Sequence, residues 1–372
     1  MVCHKIGIKK FNTGGNLKVL VGMSGGVDSS VAALILKQQG HEVIGATMSI
    51  WGKGGMAKKS GHKNACYGPD EIEDIAEAER IAEQLDIPYY VFNCVEQYEK
   101  IVLENFKNEY LNGRTPNPCV WCNALVKFGA LPLMARENGI DFDKFATGHY
   151  ARIEKKNDRY LLKRGIAEKK DQSYFLYRLK QEQLKDILLP LGTYTKDNIR
   201  QIAEENNLKV AFKPDSQDFY DGDYNELLNT NPQKGNIVDT DGRILGEHNG
   251  FWNYTVGQRK GLNISSTAPL YVLRTDKDKN EVIVGFRDKT LNNKLTATNL
   301  NWIAFDNPPQ NINCTAKIRS SQQPQDVIVR YNSGTCDVEF LNFQQSVSVG
   351  QSIVFYNEDT LLGGGIIDKI IK

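Results

Sequence analysis

The chain has 372 residues, 40% hydrophobic and 24% charged, with a formal net charge of +1. That length fits two or three domains, each able to bury its own core; the near-zero charge excludes a global pull toward nucleic acid, so any RNA contact must come from a local patch such as Lys155–Lys156 or Lys169–Lys170. No window approaches the ~20 apolar residues of a bilayer span, the start MVCHKIGIKKFNTGG lacks the apolar region of a secretory signal, and seven unevenly spaced cysteines do not make a disulfide framework.

A reducing cytoplasm, away from any membrane, is therefore the expected setting, with Cys3, Cys94, Cys314 and Cys336 as plain thiols. LKVLVGM (17–23) is a short apolar run of the kind a buried parallel strand carries. SSVAALILKQQG predicts a helix stopped by Gly40, and HEVIGATM a second strand. PDEIEDIAEAERIAEQLDIP predicts a helix with acids in its first turn and Ile72, Ile75, Ala78, Ala82 and Leu85 along one face. YYVFNC reads as a third strand and EQYEKIVLENFKNEYLNG as an amphipathic helix; KFATGHYARI (144–153) reads as one more strand of the same sheet. Such alternation predicts an α/β fold with a parallel sheet.

Beyond Pro214 the composition shifts toward Gly, Asn and Asp. GNIVDTDGRILGEHNG and APLYVLRTDKDKNEVIVGF each place a turn signal between apolar runs and predict hairpins. From about Leu291, TAKIRSS, DVIVRYN, CDVEFL and QSIVFYN predict the strands of a small barrel. The expected division is an α/β domain over 1–215, a small central domain over 216–290 and a β-barrel over 291–372.

GMSGGVDSS (22–30) lies between the first strand and the first helix. Glycines let the backbone turn tightly and approach a ligand. Free N–H groups at the helix start, with the hydroxyls of Ser24, Ser29 and Ser30, can hold phosphate oxygens. Asp28 makes sense there as a ligand of the Mg²⁺ that accompanies a nucleotide. The loop is neither a Walker A nor a dinucleotide fingerprint. Ser-Gly-Gly-x-Asp-Ser resembles instead the loop of ATP pyrophosphatases, which split ATP into AMP and pyrophosphate. RTPNPCVWCN (114–123) raises a second question, because Cys-x-x-Cys occurs in zinc, iron–sulfur and redox sites alike.

GMSGGVDSSVAALILKQQG, NGRTPNPCVWCNALVKFG, FATGHYAR, KKDQSYFLYRL, YTVGQRKGL and the tail VGQSIVFYN…LGGGII, in that order, together resemble the tRNA-specific 2-thiouridylases. The resemblance implies an ATP pyrophosphatase domain, a central domain and a tRNA-binding C-terminal barrel. It implies ATP-dependent adenylation of the C2 oxygen of the wobble uridine, followed by sulfur transfer. By position it assigns ATP to Gly22, Met23, Ser24, Gly25, Gly26, Val27, Asp28, Ser29, Met48 and Gly148. It assigns tRNA to Asn117, Pro118, Cys119, His149, Lys170, Asp171, Gln172, Arg319 and Gln351, and catalysis to Asp28, Cys119 and Cys122.

The pattern breaks in one place. Family members of the best-known type carry a persulfide on a second cysteine, in a loop shortly after an Asp-Ser pair. Here that loop reads KPDSQDFYDGDY (213–224), and Tyr220 stands at the matching position. Cys119 is gained where the usual type has Asp, and Cys66 matches a further position where the family often has cysteine. Cys66, Cys119 and Cys122 can be read as ligands of a [4Fe–4S] cluster with one open iron. A persulfide pair at Cys119 and Cys122, a zinc site completed by Cys94 or His62, and two ordinary thiols stay open beside it. The expected partners are tRNA and a sulfur donor: a cysteine desulfurase, a relay protein or sulfide. Two rival functions are a ligase acting on a small molecule and a tRNA-binding relative without thiolation activity.

Overall fold

The computed structural model describes residues 15–52, 65–212, 219–220 and 222–371. Cys3, His62 and the Asp215–Ser216 pair, each singled out above, lie outside the described residues. The chain forms two units: one from Met1–Val102, Cys119–Gly222 and Asp359–Leu361, the other from Leu103–Pro118, Asp223–Glu358 and Leu362–Lys372.

The first unit is built on a parallel sheet of order β3-β2-β1-β4-β7, where β1 is Lys18–Gly22, β2 Glu42–Ser49, β3 Tyr89–Asn93, β4 Lys144–Thr147 and β7 Ile187–Leu188. Val19, Leu20 and Val21 have no exposed surface, because helices cover both faces. Helix α1 (Val27–Gln38) follows β1 and ends before Gly40, whose φ of +90° suits glycine. Helix α2 (Glu71–Gln84) follows β2. Its core face is Ala78, Ile81 and Ala82, with Leu85 just beyond, whereas Ile72 is 74% exposed. The expected apolar stripe thus begins a turn too early. Glu71 fixes the start of α2 by accepting from Ile50 N at 2.7 Å and Ser49 Oγ at 2.8 Å, and this turns Ile72 to solvent.

KFATGHYARI is also corrected. It divides at Gly148–Tyr150 into β4 and β5 (Ala151–Lys156), and β5 pairs with β6 (Arg159–Arg164) in an antiparallel hairpin that is not part of the parallel sheet. Helix α3 spans Pro118–Glu137 without a break, its middle, Cys122–Ala130, wound as a wider π-helix. Contrary to the composition reading, α3 is long and apolar enough to cross a bilayer by length and composition alone. Its apolar side chains, however, include Val120, Ala124, Val126, Phe128, Leu131 and Ala135, each buried. Helix α4 (Lys196–Glu205) packs Ile199, Ile202 and Ala203 into one cluster with Val31 and Ile35 of α1.

In the second unit, β8 (Gly235–Val238) with β9 (Ile244–His248), and β10 (Tyr271–Asp276) with β11 (Glu281–Gly285), form the two expected hairpins. Parallel pairing of β11 with β8 joins them into one sheet, an arrangement the turn signals did not contain. Six strands follow: β12 (Leu291–Trp302), β13 (Asn311–Lys317), β14 (Gln325–Asn332), β15 (Thr335–Gln345), β16 (Ser352–Asn357) and β17 (Thr360–Ile371). They run in the order β12-β15-β14-β13-β16-β17, and β12–β17 pairing closes the barrel. Its core includes Leu295, Val329, Val338, Phe340, Ile353 and Phe355.

Candidate active site

In open parallel sheets a ligand binds beyond the carboxyl ends of the strands, where the strand order reverses. Here β1 and β4 are neighbours in the sheet while the chain leaves β1 toward β2, so the reversal lies between them. The loop after β1 and the turn after β4 meet at that point. A Cβ on Gly148 would lie 2.7 Å from both Asp28 C and Ser29 N. Gly25 has φ +65°, and a Cβ there would lie 2.3 Å from Asp74 O. Neither position has room for a side chain.

The loop is braced from within. Ser24 N donates to Ser29 Oγ at 3.1 Å, and the Ser29 and Ser30 hydroxyls donate to Gly26 O at 3.1 and 2.8 Å. Ser30 is fully buried, so its hydroxyl shapes the loop rather than facing a ligand. Gly26 precedes α1 with no side-chain cap, which leaves the first amides of the helix to an anion.

A cavity of about 360 Å³ opens in front of this loop. Gly22, Met23, Ser24, Gly26, Val27, Asp28, Ser29, Met48 and Gly148 line it, as do His149, Lys170 and Gln172. Cys66 and Lys127 line it too, which the loop motif did not foretell. Gly148→Ala is expected to push the β4 turn off the loop. Calorimetric ATP affinity should fall at least about tenfold, and the fold should lose about 1–3 kcal/mol, the usual cost of overpacking. Unchanged affinity would mean the close approach is not needed.

His149 is buried, its Nδ1 is 2.8 Å from Thr147 Oγ1, and its ring lies 5.5 Å from that of Phe128. Burial, aided by the charge of Lys127, holds its pKa well below the ordinary value, so the ring is neutral at physiological pH. Gln172 Oε1 accepts from Tyr150 N at 2.9 Å. Asp171 does not join them. Its side chain has no exposed surface and accepts from Gly165 N, Ser173 N, Ser173 Oγ and Arg164 Nε. The sequence assigned it to tRNA, but the structure makes it the internal anchor of the turn that carries Lys170 and Gln172.

Cys119 and Cys122 sit three apart on the first turns of α3 and so face the same side. Burial pushes the Cys122 thiol up to about 12 and that of Cys119 further, while Lys127 opposes both. The Cys66 thiol is also raised by the protein around its sulfur and lowered by Lys127, and its Sγ lies 3.7 Å from Phe219 O. Residues five apart on an α-helix point well away from each other. The i→i+5 bonding of the Cys122–Ala130 segment brings Lys127 round toward the cysteine side. Lys127 is a cavity residue that sequence reading missed; its only local signal is a lone cation in the apolar run CNALVKFG.

The three cysteines share one neighbourhood, yet among the described residues no three His, Cys, Asp or Glu side chains are gathered to hold a metal ion. Cys94 is buried with Sγ 3.6 Å from Met134 Sδ, and burial raises it to about 11, as expected of a plain thiol. Tyr220, at the family's second cysteine position, is buried with its ring 6.2 Å from Tyr67. Phe219 and Tyr98 stack on Tyr67 from 6.0 and 5.2 Å, so this segment is an aromatic brace beside Cys66.

The remaining assigned residues lie in the second unit. Gln351 Nε2 donates to Pro116 O at 2.9 Å and Thr115 N to Val349 O at 2.8 Å, which fixes the stretch leading to Asn117 and Pro118. Arg319 Nη2 donates to Ser346 O and Ser348 Oγ, each at 3.1 Å.

A parallel sheet with a pyrophosphatase-type loop at its reversal point, followed in sequence by β-rich domains, defines the class: a nucleotide-binding α/β protein of the ATP pyrophosphatase type. Residues 17–220 match the family model described as the tRNA methyl transferase HUP domain, 226–286 the tRNA methyl transferase PRC-barrel domain, and 292–367 the aminomethyltransferase beta-barrel domain. The chain is 49% identical over 356 residues to the tRNA-specific 2-thiouridylase MnmA of Endomicrobium trichonymphae, covering 94% of this chain and 99% of that protein. It is 47% identical over 360 residues to that of Acetivibrio thermocellus, covering 94% and 99%. The chain belongs to the tRNA-specific 2-thiouridylase family. Among solved structures, the U34-tRNA thiolase NcsA from Methanococcus maripaludis, with its [4Fe-4S] cluster, overlaps 57% of this chain and 65% of that one, at 20% identity and a TM-score of 0.35.

Proposed function

We propose that this protein is an ATP-dependent tRNA-uridine 2-sulfurtransferase. It adenylates the C2 oxygen of the wobble uridine and then replaces AMP with sulfur. The observation that carries the reading is the cavity, which is lined by the pyrophosphatase loop together with Cys66 and Lys127. The loop and one of the three thiols, Cys66, therefore share one space.

The loop amides and the first turn of α1 receive the phosphates, and the uridine oxygen displaces pyrophosphate at the α-phosphate. Lys127 stabilises the negative charge that develops there, and neutral His149 is available to hydrogen-bond without adding charge. Asp28 is a hard oxygen donor on the cavity wall and suits a Mg²⁺ that takes its other ligands from phosphate and water. Such an ion would neutralise the leaving pyrophosphate.

In this reading sulfur travels on the Cys119–Cys122 pair. A donor persulfide passes its outer sulfur to one of Cys119 and Cys122, releasing the donor thiolate. That outer sulfur attacks C2 and AMP leaves. The second cysteine then attacks the Sγ of the first, which breaks its bond to the transferred sulfur, frees 2-thiouridine and leaves a Cys119–Cys122 disulfide for a dithiol reductant to restore. Lys170 and Gln172, on the cavity, and Asn117, Pro118, Cys119, His149, Arg319 and Gln351 are the proposed tRNA contacts; family resemblance supports them. The division into domains over 1–215, 216–290 and 291–372 is supported by the matched ranges, and the reducing cytoplasm by the free cysteines.

Incubation with unmodified tRNA, Mg²⁺-ATP and a persulfide donor is expected to give tRNA-dependent AMP release and 2-thiouridine, detected by nucleoside mass spectrometry. AMP release that ignores tRNA would point to a small-molecule acceptor. Bound tRNA with no thiouridine would make the chain a binding protein.

A further inference from the structure

Asp28 is the second residue of α1, where a carboxylate is favoured by the positive end of the helix. Its charge is already matched. Lys196 Nζ lies 2.8 Å from Asp28 Oδ1 and 2.9 Å from Oδ2, and Tyr150 Oη donates to Oδ1 at 2.7 Å. The two charged residues are 168 positions apart, and neither loop nor helix motif connects them. Lys196 itself opens α4, inside the Thr195–Asn198 capping box and directly after the N-cap Thr195. A cation at a helix start opposes the macrodipole, so helix formation does not explain this lysine.

The ammonium is firmly placed. The Lys196 side chain is 10% exposed, α4 is held on α1 through Ile199, Ile202 and Ala203, and Tyr150 is buried in that same cluster. Nζ also lies 6.0 Å from the centre of the Tyr150 ring. Holding a lysine in this way costs the rotamer freedom that surface lysines keep. Nor does a pair of this kind account for itself by stability alone, since buried ion pairs are often replaceable by apolar contacts at no loss. What distinguishes this one is its position: Asp28 stands on the wall of the cavity, beside the amides expected to receive phosphate. One carboxylate cannot hold an ammonium on both oxygens and serve as a full metal ligand at the same time.

We propose that Lys196 is the resident counter-ion of Asp28, a positioning residue that yields the carboxylate to the metal when Mg²⁺-ATP enters and turns its charge toward the nucleotide phosphates. The inference rests on the reading of Asp28 as the metal ligand. A bare Mg²⁺ gives up its water reluctantly and offers the displaced ammonium no new partner, so it competes poorly. Mg²⁺-ATP brings both the cation for Asp28 and phosphate oxygens for Lys196, and lysine is an effective point-charge partner of phosphate. Metal and nucleotide are thereby made to bind together.

The test measures Mn²⁺ binding by the electron paramagnetic resonance of the free ion, without ATP, and nucleotide affinity by calorimetry, on the full chain. Lys196→Met is expected to tighten Mn²⁺ binding about tenfold, the size of a modest coupling between two ligands, while ATP in the presence of Mg²⁺ binds more weakly. Lys196→Arg, which keeps the charge, should leave Mn²⁺ binding weak. A residue that only supports the fold would weaken both ligands together, and Mn²⁺ binding that is unchanged or weaker in Lys196→Met overturns the proposal. Lys196→Gln, neutral but still able to hydrogen-bond, gives the same readout should the methionine variant not fold. Asp28→Asn separates the two ideas. If it leaves the Mg²⁺ requirement of ATP binding unchanged, Asp28 is no metal ligand; if it alters that requirement while Lys196→Met changes nothing, the counter-ion role alone fails.

Discussion

Cys122→Ser is expected to abolish 2-thiouridine formation, by on the order of 10³-fold or more as for loss of a covalent nucleophile, while tRNA-dependent pyrophosphate release continues. The reason is that the two sets of residues come from different elements. The phosphate-binding elements come from β1, α1 and the turn after β4, whereas the thiols come from α3 and the segment before α2. Serine keeps the size of the side chain and removes only the sulfur, so adenylation should survive. Cys119→Ser should behave alike, since either cysteine is needed to release the product. If pyrophosphate release disappears together with thiouridine, the thiols are needed to build the site rather than to carry sulfur.

Lys127→Met should act on both halves. Loss of one preorganised charge at a developing oxyanion typically costs about 10²–10³-fold in rate, and tRNA-dependent pyrophosphate release should fall by that much. The second effect has a defined sign. The Lys127 cation lowers the thiols of Cys66, Cys119 and Cys122 against the rise that burial causes, and it also lowers His149. Without it all four move up: each thiol is less ionised at a given pH, and His149 moves back toward its ordinary value. The pH profile of iodoacetamide alkylation should shift to higher pH in the variant. A profile that stays in place would show that Lys127 does not act on the thiols, whatever happens to the rate.

Much of this was legible in the chain because it is local. A strand of mostly apolar residues, six specified loop positions and the start of α1 all fall within residues 17–30, and each is dictated by nearby backbone geometry. The two hairpins and the later barrel strands were equally readable from turn residues between apolar runs. The misreadings share one cause. Ile72 has the spacing of a core residue, but Glu71 binds the backbone after β2 and rotates it outward. Asp171 looks like a polar group offered to a ligand, but Arg164 and three donors from Gly165 and Ser173 take it inward. In each case a partner that sequence pattern does not reveal decides which way a side chain points.

By itself, then, the amino-acid sequence determined the class of fold, the phosphate loop and the family, since periodicity, glycine placement and motif order are properties of neighbouring residues. The tertiary structure alone decided that Cys66 and Lys127 share a cavity with the loop, that Lys127 lies on a π-helical turn, and that Lys196 pairs with Asp28. Those outcomes depend on how helices far apart in the chain pack on one sheet, and packing selects contacts by shape and burial that no local pattern encodes.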